Sequence, residues 1–390
     1  SDFSGVGAFD QALIRLGIDY KTVFACDMDK YARQTYIENY GEPEYYPENV
    51  YNREIPKKPL DIYMTSPPCQ SFSLAGKRKG EDSVNGVLFY NSHEFIKENK
   101  PRFFIFENVK GLLSDAKGRT FQIWLDMLGG KSVNGNPVIF PREDATPYHI
   151  YYKVLNAKNY GVPQNRQRVF IIGVRDDLDN TFHFPKPFHL VKRLKDVLEI
   201  KVEKKFFLSE KMIKNIMTPA TEKWQSGKME IDLDIARPIT ATCHKMHRAD
   251  TDNYITVKSA TKKGYEIATE NDSINLSQPN SETRRGRVGK EVAQTLDTAC
   301  NQAVIIDSTN DFGEDKKRIY TETSPTLRSS RFGLETITNS KIRRLTPREC
   351  FRLMDFPDTF KMPCSNSQMY KQAGNSIVVN VLAEIINRLN

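Results

Sequence analysis

Up to about residue 175, short apolar runs alternate with helix-like stretches, and this alternation restricts the fold more than any other feature of the chain. Such a pattern is typical of a mostly parallel sheet whose strands are joined by crossover helices, so we predict an α/β, Rossmann-like domain. The predicted strands lie at residues 22–26, 61–65, 103–106, 151–155 and 169–174. The predicted helices lie at residues 8–16, 30–39, 88–99, 120–128 and 376–389.

The chain is too long for that domain alone. Its 390 residues exceed the roughly 250 to 300 that one core usually serves, so two domains are expected. After Phe184-Pro185-Lys186-Pro187 the pattern changes to short segments rich in Ser, Thr and Asn, which places a boundary near residue 190. The chain starts inside a strand-to-glycine turn, so we expect further sequence upstream of Ser1.

Charge, cysteine content and hydropathy limit the kinds of partner and compartment that fit this chain. The 57 Lys and Arg residues outnumber the 49 Asp and Glu residues, and the net charge of +8 favours a polyanionic partner. Six cysteines without paired spacing indicate a reducing compartment, and no apolar run approaches the roughly 18 residues of a membrane span. We therefore expect a cytoplasmic monomer that binds nucleic acid and no membrane.

A glycine-rich turn precedes the first predicted helix. Phe3-Ser4-Gly5-Val6-Gly7 suits close backbone approach to a nucleotide-type cofactor, and Asp27 stands at the end of the next predicted strand, where an acid can bind ribose hydroxyls. Asp29 could equally cap the helix that starts at Lys30. Because position 10 is Asp10, the wider dinucleotide fingerprint is absent, and a mononucleoside cofactor fits better.

One cysteine follows a predicted strand on a stiff turn. In Ser66-Pro67-Pro68-Cys69 the two prolines hold φ near about −65° and prevent a helix before the cysteine. Ligands bind at the carboxyl ends of strands in open α/β sheets. Cys69 is therefore predicted to be a nucleophile; the alternative is a buried cysteine that packs as a small hydrophobe.

A carboxyl and two guanidinium groups stand at the ends of other predicted strands. Glu107 follows the apolar strand at 103–106, where apolar surroundings would raise its pKa and let it donate a proton near neutral pH, although it could also be an ordinary loop carboxylate. Arg166 and Arg168 share a face if that segment is extended. They could hold a carboxylate, a phosphate or a base carbonyl.

Six ordered motifs, spread over almost the whole chain, resemble those of the DNA cytosine-5 methyltransferases of the bacterial restriction-modification type. They are Phe3-Ser4-Gly5-Val6-Gly7, Pro67-Pro68-Cys69-Gln70, Glu107-Asn108-Val109, Gln164-Asn165-Arg166-Gln167-Arg168, Arg344-Leu345-Thr346-Pro347-Arg348-Glu349-Cys350 and Gln372-Ala373-Gly374-Asn375-Ser376. The resemblance implies methyl transfer from S-adenosylmethionine to carbon 5 of a cytosine flipped out of a specific duplex DNA sequence.

The resemblance also implies a division of the chain. Residues 1–190 and 371–390 would form the catalytic, cofactor-binding domain, residues 191–345 a smaller, irregular target-recognition domain, and residues 346–370 a hinge segment. A cognate restriction endonuclease would be a separate protein.

The implied cofactor site surrounds the glycine-rich turn. Asp27 would bind the ribose, Met28 would lie against the adenine, and Asn49 would hydrogen-bond the adenine. The full set is Phe3, Ser4, Gly5, Val6, Gly7, Asp27, Met28, Asn49, Pro68, Leu88, Asn375 and Ser376. The chain departs from the family pattern at Ser1, where an acid is usual, and at Glu48-Asn49, where Gly-Asp is usual.

The implied catalytic residues are those already singled out. Cys69 would add to carbon 6 of cytosine, Glu107 would contact ring nitrogen 3 and the amine, and Arg168 would donate to the carbonyl oxygen with Arg166 in support. The resemblance does not identify the base that removes the proton from carbon 5.

Three basic or Thr-containing segments are predicted to contact DNA. Glycines flank Lys77, Arg78 and Lys79 just beyond Cys69, which favours a lid that meets phosphates over a merely solvated loop. The other predicted DNA contacts are Arg284, Arg285, Arg287, Thr326, Leu327 and Arg328.

The sequence disfavours two other functions and a metal site. A related transfer RNA methyltransferase would usually carry a Cys-Phe-Thr phrase, which this chain lacks, and a catalytically silent DNA-binding relative would not need Cys69, Glu107 and Arg168. Cys243-His244 and His247 have no second pair at ligand spacing, so no metal is predicted.

Overall fold

A computed structural model describes most of the first half of the chain and its C-terminal end. The described residues are 1–68, 84–200, 202–206, 233–241, 253–255, 273–275, 288–289, 302–304 and 343–389.

A six-stranded sheet forms the centre of the described structure. Its strands are β1 (Ile62–Thr65), β2 (Phe103–Val109), β3 (Ser132–Val133), β4 (Asn136–Pro137), β5 (Tyr148–Asn156) and β6 (Gln167–Arg175), in the spatial order β1-β2-β6-β5-β3-β4. Beyond β1, Asp2 forms single parallel bridges to Thr65 on one side and to Cys26 on the other. The segment around Asp2 thus continues the sheet outward from β1.

Strand direction differs from the prediction of a mostly parallel sheet. β1 and β2 are parallel, but β6 runs antiparallel to both β2 and β5. Residues 157–166 join β5 to β6 and contain only the short 3₁₀ turn Ala157–Asn159, which is too little chain for the crossover that a parallel pair needs. The sheet is therefore mixed.

Four of the five predicted strands are confirmed as β1, β2, β5 and β6. The predicted strand at 22–26 is wrong as a regular strand, since it contributes only the bridge at Cys26. Its residues Phe24, Ala25 and Cys26 are nevertheless buried, which explains the apolar run in the sequence.

Helices cover both faces of the sheet. They are α1 (Ala8–Arg15), α2 (Lys30–Tyr40), α3 (Val84–Asn99), α4 (Arg119–Leu128), α5 (Pro347–Leu353), α6 (Asn366–Asn375) and α7 (Val379–Ile386). The first four confirm predicted helices. The predicted helix at 376–389 is too long, because Ser376 is the C-terminal cap of α6 with an extended backbone.

Two helices were not predicted. α5 begins with a capping box in which the Thr346 side chain accepts from the Glu349 backbone and the Glu349 side chain accepts from the Thr346 backbone. That signal is visible in the sequence as Thr-Pro-Arg-Glu. α6 has no such side-chain cap.

The smaller strands lie between residues 254 and 344. Three of them form an antiparallel sheet and two form a separate pair. They are β7 (Tyr254–Ile255), β8 (Ser273–Asn275), β9 (Val288–Gly289), β10 (Gln302–Val304) and β11 (Arg343–Arg344), with β10-β8-β9 in one sheet and β11-β7 in the other.

The two faces of the large sheet bury separate apolar clusters. Along β2, Phe103 and Ile105 belong to one cluster and Phe104 and Phe106 to the other, as the alternation of a strand requires. The first cluster includes residues of α1, α5, α6 and α7, and the second includes residues of α3 and α4.

Residues beyond the predicted boundary near 190 join the first cluster. Leu194, Val197, Ala236 and Ile239 are each at most 2% exposed in it. The division into catalytic, hinge and target-recognition parts stays a prediction. Among the helices that the structure describes, none is long and apolar enough to cross a membrane.

The pairing of β2 with β6 depends on one glycine. A Cβ atom on Gly173 would lie 2.0 Å from Cε1 of Phe104, its partner in the register. We expect Gly173→Ala to lower the free energy of unfolding by about 2 kcal/mol through overpacking. Phe104→Leu should recover part of this loss, so the two changes should be non-additive in chemical denaturation. Simple additivity would show that the ring and the glycine do not compete for space.

Candidate active site

Asp27, which follows the segment at 22–26, holds the glycine-rich turn in place. Asp27 Oδ2 accepts from the Gly5 N–H at 2.8 Å, and Asp27 Oδ1 accepts from the Asp29 N–H at 2.8 Å. Burial raises the pKa of Asp27, and these two donors offset part of that rise. The predicted proximity of the turn and this acid is present in the structure.

The second acid has the capping role that the sequence left open. Asp29 Oδ1 accepts from the backbone N–H groups of Tyr31 and Ala32 at the start of α2. Lys371 of α6 donates to Asp29 Oδ2 at 2.6 Å. Nothing in the local sequence pointed to Lys371, which joins the last motif to the segment that carries Asp27.

Backbone conformation accounts for the two glycines of the turn. Phe3, Gly5 and Gly7 have φ values of 55°, 55° and 80°. A Cβ atom on Gly7 would lie 2.1 Å from Cε2 of Tyr40, so Gly7 is required both for its conformation and for the close approach of this ring.

The other predicted cofactor residues differ in exposure. Met28 is 84% exposed, which is unusual for a large apolar side chain and leaves it available to a flat apolar group. Asn49 is exposed and its Oδ1 accepts from the Tyr51 N–H at 2.9 Å. Leu88 is 8% exposed and packs in the cluster with α4.

The remaining cofactor residues are divided between the turn and two other segments. In the turn, Val6 is buried, and the Ser4 hydroxyl lies 3.3 Å from that of Tyr46. Pro68 is half-buried at the end of the segment after β1. Asn375 ends α6 with an exposed side chain and Ser376 is buried.

Strand direction brings the predicted catalytic groups to one edge of the sheet. β1 and β2 are parallel with Thr65 opposite Phe106, so the segments after both strands leave at the same edge. There the Asn108 amide donates to the Pro67 carbonyl at 3.4 Å. β6 begins at this edge because it is antiparallel to β2, with Arg168 opposite Val109.

Glu107 and Arg168 form an ion pair at that edge. Arg168 Nε lies 3.1 Å from Glu107 Oε1, and their side chains are 21% and 10% exposed. Burial raises the pKa of Glu107, although the positive charges of Arg168 and Arg166 act in the opposite direction. The carboxyl group is thus biased towards its protonated form while an arginine fixes its position.

Arg166 donates hydrogen bonds to the backbone, whereas the ion pair with Glu107 is made by Arg168. Arg166 is 4% exposed, and its guanidinium group donates to the carbonyls of Ile239, Gly374 and Ser376 at 3.0, 3.0 and 2.8 Å. It therefore ties the start of β6 to the junction of α6 and α7. Its predicted support of catalysis stays a prediction.

Gln164 reinforces this junction. The sequence indicated it only as a member of the motif at 164–168. Its Nε2 donates to the Leu353 carbonyl at 2.6 Å, and its Oε1 accepts from the Ile239 N–H at 3.1 Å. Its side chain is fully buried. The segment before β6 is thus bonded to three distant parts of the chain.

Several predicted residues lie outside the described part of the chain. They are Cys69, Lys77, Arg78, Lys79, Arg284, Arg285, Arg287, Thr326, Leu327 and Arg328, together with Cys243, His244 and His247. Within the described residues, no group of three or more His, Cys, Asp or Glu side chains could hold a metal ion.

The fold and this edge define a class of protein. Helices on both faces of an α/β sheet, with a glycine-rich turn before the first helix, agree with a Rossmann-like methyltransferase fold. The chain belongs to the C-5 cytosine-specific DNA methylase family, whose model matches residues 2–390. The predicted family and fold class are confirmed, and the protein is a DNA cytosine-5 methyltransferase.

Named relatives agree with this assignment. The type II methyltransferase M.HhaI of Haemophilus parahaemolyticus is 30% identical, over 98% of this chain and 91% of the relative. M.HpaII of Haemophilus parainfluenzae is 30% identical, over 97% and 84%. The orphan methyltransferase M.SPRI of Bacillus phage SPR is 28% identical, over 99% and 96%.

A solved structure agrees in fold. The structure of a Spodoptera frugiperda DNMT2 variant has a TM-score of 0.62 and 20% identity, and covers 100% of this chain and 98% of that protein. This likeness supports the architecture of the domain.

The two arginines should differ in what their loss does. We expect Arg166→Met to lower the free energy of unfolding by about 3 kcal/mol, because three carbonyls lose a buried charged donor. Arg168→Met should cost clearly less, because Arg168 is partly exposed and Glu107 can take up a proton when its partner is removed. Urea denaturation of both variants tests this, and equal losses would contradict the assignment of Arg166 to the junction.

Proposed function

We propose that this methyltransferase acts on a cytosine flipped out of a specific sequence in duplex DNA, through a covalent adduct between Cys69 and carbon 6 of the base. The observation that carries the proposal is the Glu107–Arg168 pair, which lies at the edge where the segment after β1 leads through Pro67 and Pro68 to Cys69. A base inside a stacked duplex could not reach such a pair, so extrusion is required.

The chain's own groups would activate the base as follows. The Cys69 thiolate adds to carbon 6, so that a sulfur–carbon bond forms and an electron pair moves towards carbon 5. Negative charge that develops at ring nitrogen 3 is met by the proton of Glu107. A bond from carbon 5 to the methyl group would form as the methyl–sulfur bond of the donor breaks, and the donor would leave as a neutral thioether. A base removes the carbon 5 proton, the bond between Cys69 and carbon 6 breaks, and the thiolate is regenerated, while ring nitrogen 3 returns its proton to Glu107.

Arg168 would orient both the acid and the base. Its Nε holds Glu107, and its partly exposed guanidinium group can donate to the carbonyl oxygen of a cytosine at the same edge. Together with Arg166 it supplies positive charge near the edge, and such charge favours the thiolate form of a cysteine.

The residues around the glycine-rich turn fit a nucleoside sulfonium cofactor. S-adenosylmethionine, when bound, supplies the methyl group. The backbone of Gly5 can be approached closely by it, because no described atom beyond Gly5 and its two chain neighbours lies within 4 Å of the position of a Gly5 Cβ. Asp27 keeps acceptor capacity for ribose hydroxyls, and Met28 offers an exposed apolar surface to the adenine.

Specificity is assigned to the segments between β6 and α5, and closure to the segment between β1 and α3. Residues 191–345 would read the DNA sequence, and the basic segment with Lys77, Arg78 and Lys79 would close over the extruded base. M.HhaI and M.HpaII are named type II methyltransferases and M.SPRI an orphan methyltransferase. We infer the type II role, with a cognate restriction endonuclease as a separate protein.

The adduct can be trapped with a substrate that cannot complete the reaction. DNA that carries 5-fluorocytosine has no removable proton at carbon 5, so the wild-type protein with S-adenosylmethionine should form a complex that survives denaturing electrophoresis. Cys69→Ser should form none, because a serine hydroxyl is a far weaker nucleophile. An adduct with Cys69→Ser would show that another residue is the nucleophile.

The same preparations distinguish the substrate classes. Labelled methyl should pass to duplex DNA and not to transfer RNA. Transfer to transfer RNA alone would favour the related RNA enzyme, and transfer to neither would favour a silent DNA-binding relative.

Protonation of Glu107 predicts a pH dependence. Burial raises its pKa, so the acid persists to higher pH than an ordinary carboxyl group, and the rate should fall as pH rises through that pKa. Glu107→Gln cannot deliver a proton, so kcat/KM should drop about 100-fold and lose this alkaline limb. Rates measured from about pH 5 to about pH 9 test this. An identical alkaline limb in wild type and Glu107→Gln would assign the titration to another group.

A further inference from the structure

A buried ion pair lies beside the glycine-rich turn and is not part of the predicted site. Arg53 Nε donates to both carboxylate oxygens of Asp2 at 2.8 and 2.9 Å, and Arg53 Nη2 donates to Asp2 Oδ2 at 2.7 Å. The Tyr63 hydroxyl donates to the same Oδ2 at 2.5 Å. The side chains of Asp2 and Arg53 are 0% and 2% exposed, so this cluster is buried from solvent.

The cluster connects the two segments that precede the cofactor turn and Cys69. Asp2 comes immediately before Phe3, and its own N–H donates to the Met64 carbonyl of β1 at 3.0 Å. Tyr63 belongs to β1, the strand that leads to the Pro67-Pro68-Cys69 turn. The Asp2 carboxylate thus fixes the start of the turn against this strand.

The same arginine reaches two further segments with predicted cofactor residues. Arg53 follows Asn49 by four residues, in a loop without regular secondary structure. Its Nη2 also donates to the Asn91 carbonyl of α3 at 3.0 Å, about one helical turn beyond Leu88. One guanidinium group therefore joins the four segments that carry Phe3 to Gly7, Asn49, Pro68 and Leu88.

The planar guanidinium group of Arg53 is suited to joining several segments. It donates to a carboxylate and to a backbone carbonyl at the same time, and its Cζ atom lies 4.8 Å from the centre of the Phe95 ring. The Tyr63 ring stacks on Phe95 at 4.1 Å. A lysine has the charge but neither the fork nor the flat face, so it could not make this set of contacts.

Stability alone does not account for such a pair. Apolar side chains of similar size often stabilise a core as well as a buried ion pair does, whereas removal of one partner leaves a costly buried charge. What the ion pair adds is fixed geometry. We propose that Arg53 is a positioning residue: through Asp2 it fixes the relative positions of the segments that form the cofactor pocket. This inference rests on the proposed function.

The decisive variant replaces both charges. Asp2→Leu combined with Arg53→Met should fold, with an unfolding midpoint close to that of the wild type, because no charge is left unpaired. Its Kd for S-adenosylmethionine, measured by calorimetry without DNA, should rise about tenfold because the pocket is no longer pre-organised. Arg53→Lys should weaken binding in the same direction.

A matched pair of tyrosine variants tests the same idea with smaller changes. Tyr63→Phe removes one hydrogen bond to Asp2 and should raise the Kd for S-adenosylmethionine about threefold to tenfold. Tyr148→Phe removes one hydrogen bond, to the Pro101 carbonyl, from an equally buried ring in β5, which β2 and β6 separate from β1, and should leave the Kd unchanged.

The outcomes separate this inference from the proposed function. If wild-type protein binds S-adenosylmethionine and the double variant folds with a Kd within twofold of wild type, Arg53 is merely structural. If the double variant fails to fold, equal Kd values for Tyr63→Phe and Tyr148→Phe would overturn the proposal in the same way. Failure of the wild type to bind would instead count against the proposed function.

Discussion

The pairing of β2 with a parallel neighbour on one side and an antiparallel neighbour on the other is the constraint on which the site depends. The ends of β1 and β2 and the start of β6 coincide only because of these directions. Glu107 and Arg168 are then diagonal neighbours across the β2–β6 pair, close enough for an ion pair. A parallel β6 would have placed its arginine at the far edge of the sheet.

Charge at this edge is arranged so that each ionic group has a different task. Glu107 is buried enough for its pKa to rise, yet it keeps one arginine as a partner, which holds the carboxyl group in place. Arg166 is more deeply buried and bonds only carbonyl groups in the contacts described above. Arg53 neutralises an acid outside the catalytic edge altogether. Similar side chains therefore make different contacts: with a carboxyl group at the strand ends, with backbone carbonyls, and with a buried acid beside the glycine-rich turn.

Much of the fold followed from apolar runs, because buried strands and helices each have a recognisable period. Direction did not follow, since the runs that became β5 and β6 look the same whether the strands are parallel or antiparallel. The short connection at 157–166 was the available signal. The prediction of a strand at 22–26 was wrong because burial alone produces an apolar run. The segment is buried like a strand, but it pairs only at Cys26.

The sequence predicted those parts of the site whose residues lie at strand ends. It did not predict contacts between residues that are far apart in the sequence. The neighbourhood of Asp27 and Gly5 and that of Glu107 and Arg168 follow from position alone. The contact of Arg53 with Asp2 spans 51 residues and that of Lys371 with Asp29 spans 342, and no local pattern records such partners. Charged residues of this kind look like ordinary surface charges in a sequence.

The packing of α7 on α1 has a consequence for biosynthesis. The apolar face of α1, with Ala12 and Leu13, is covered by residues such as Leu382 from the last helix of the chain. At about 5 to 20 residues per second, roughly 20 to 70 s of translation separate the two helices. During that time the part of α1 that α7 covers lacks this partner, so the first cluster is complete only after the C-terminal helix has been made.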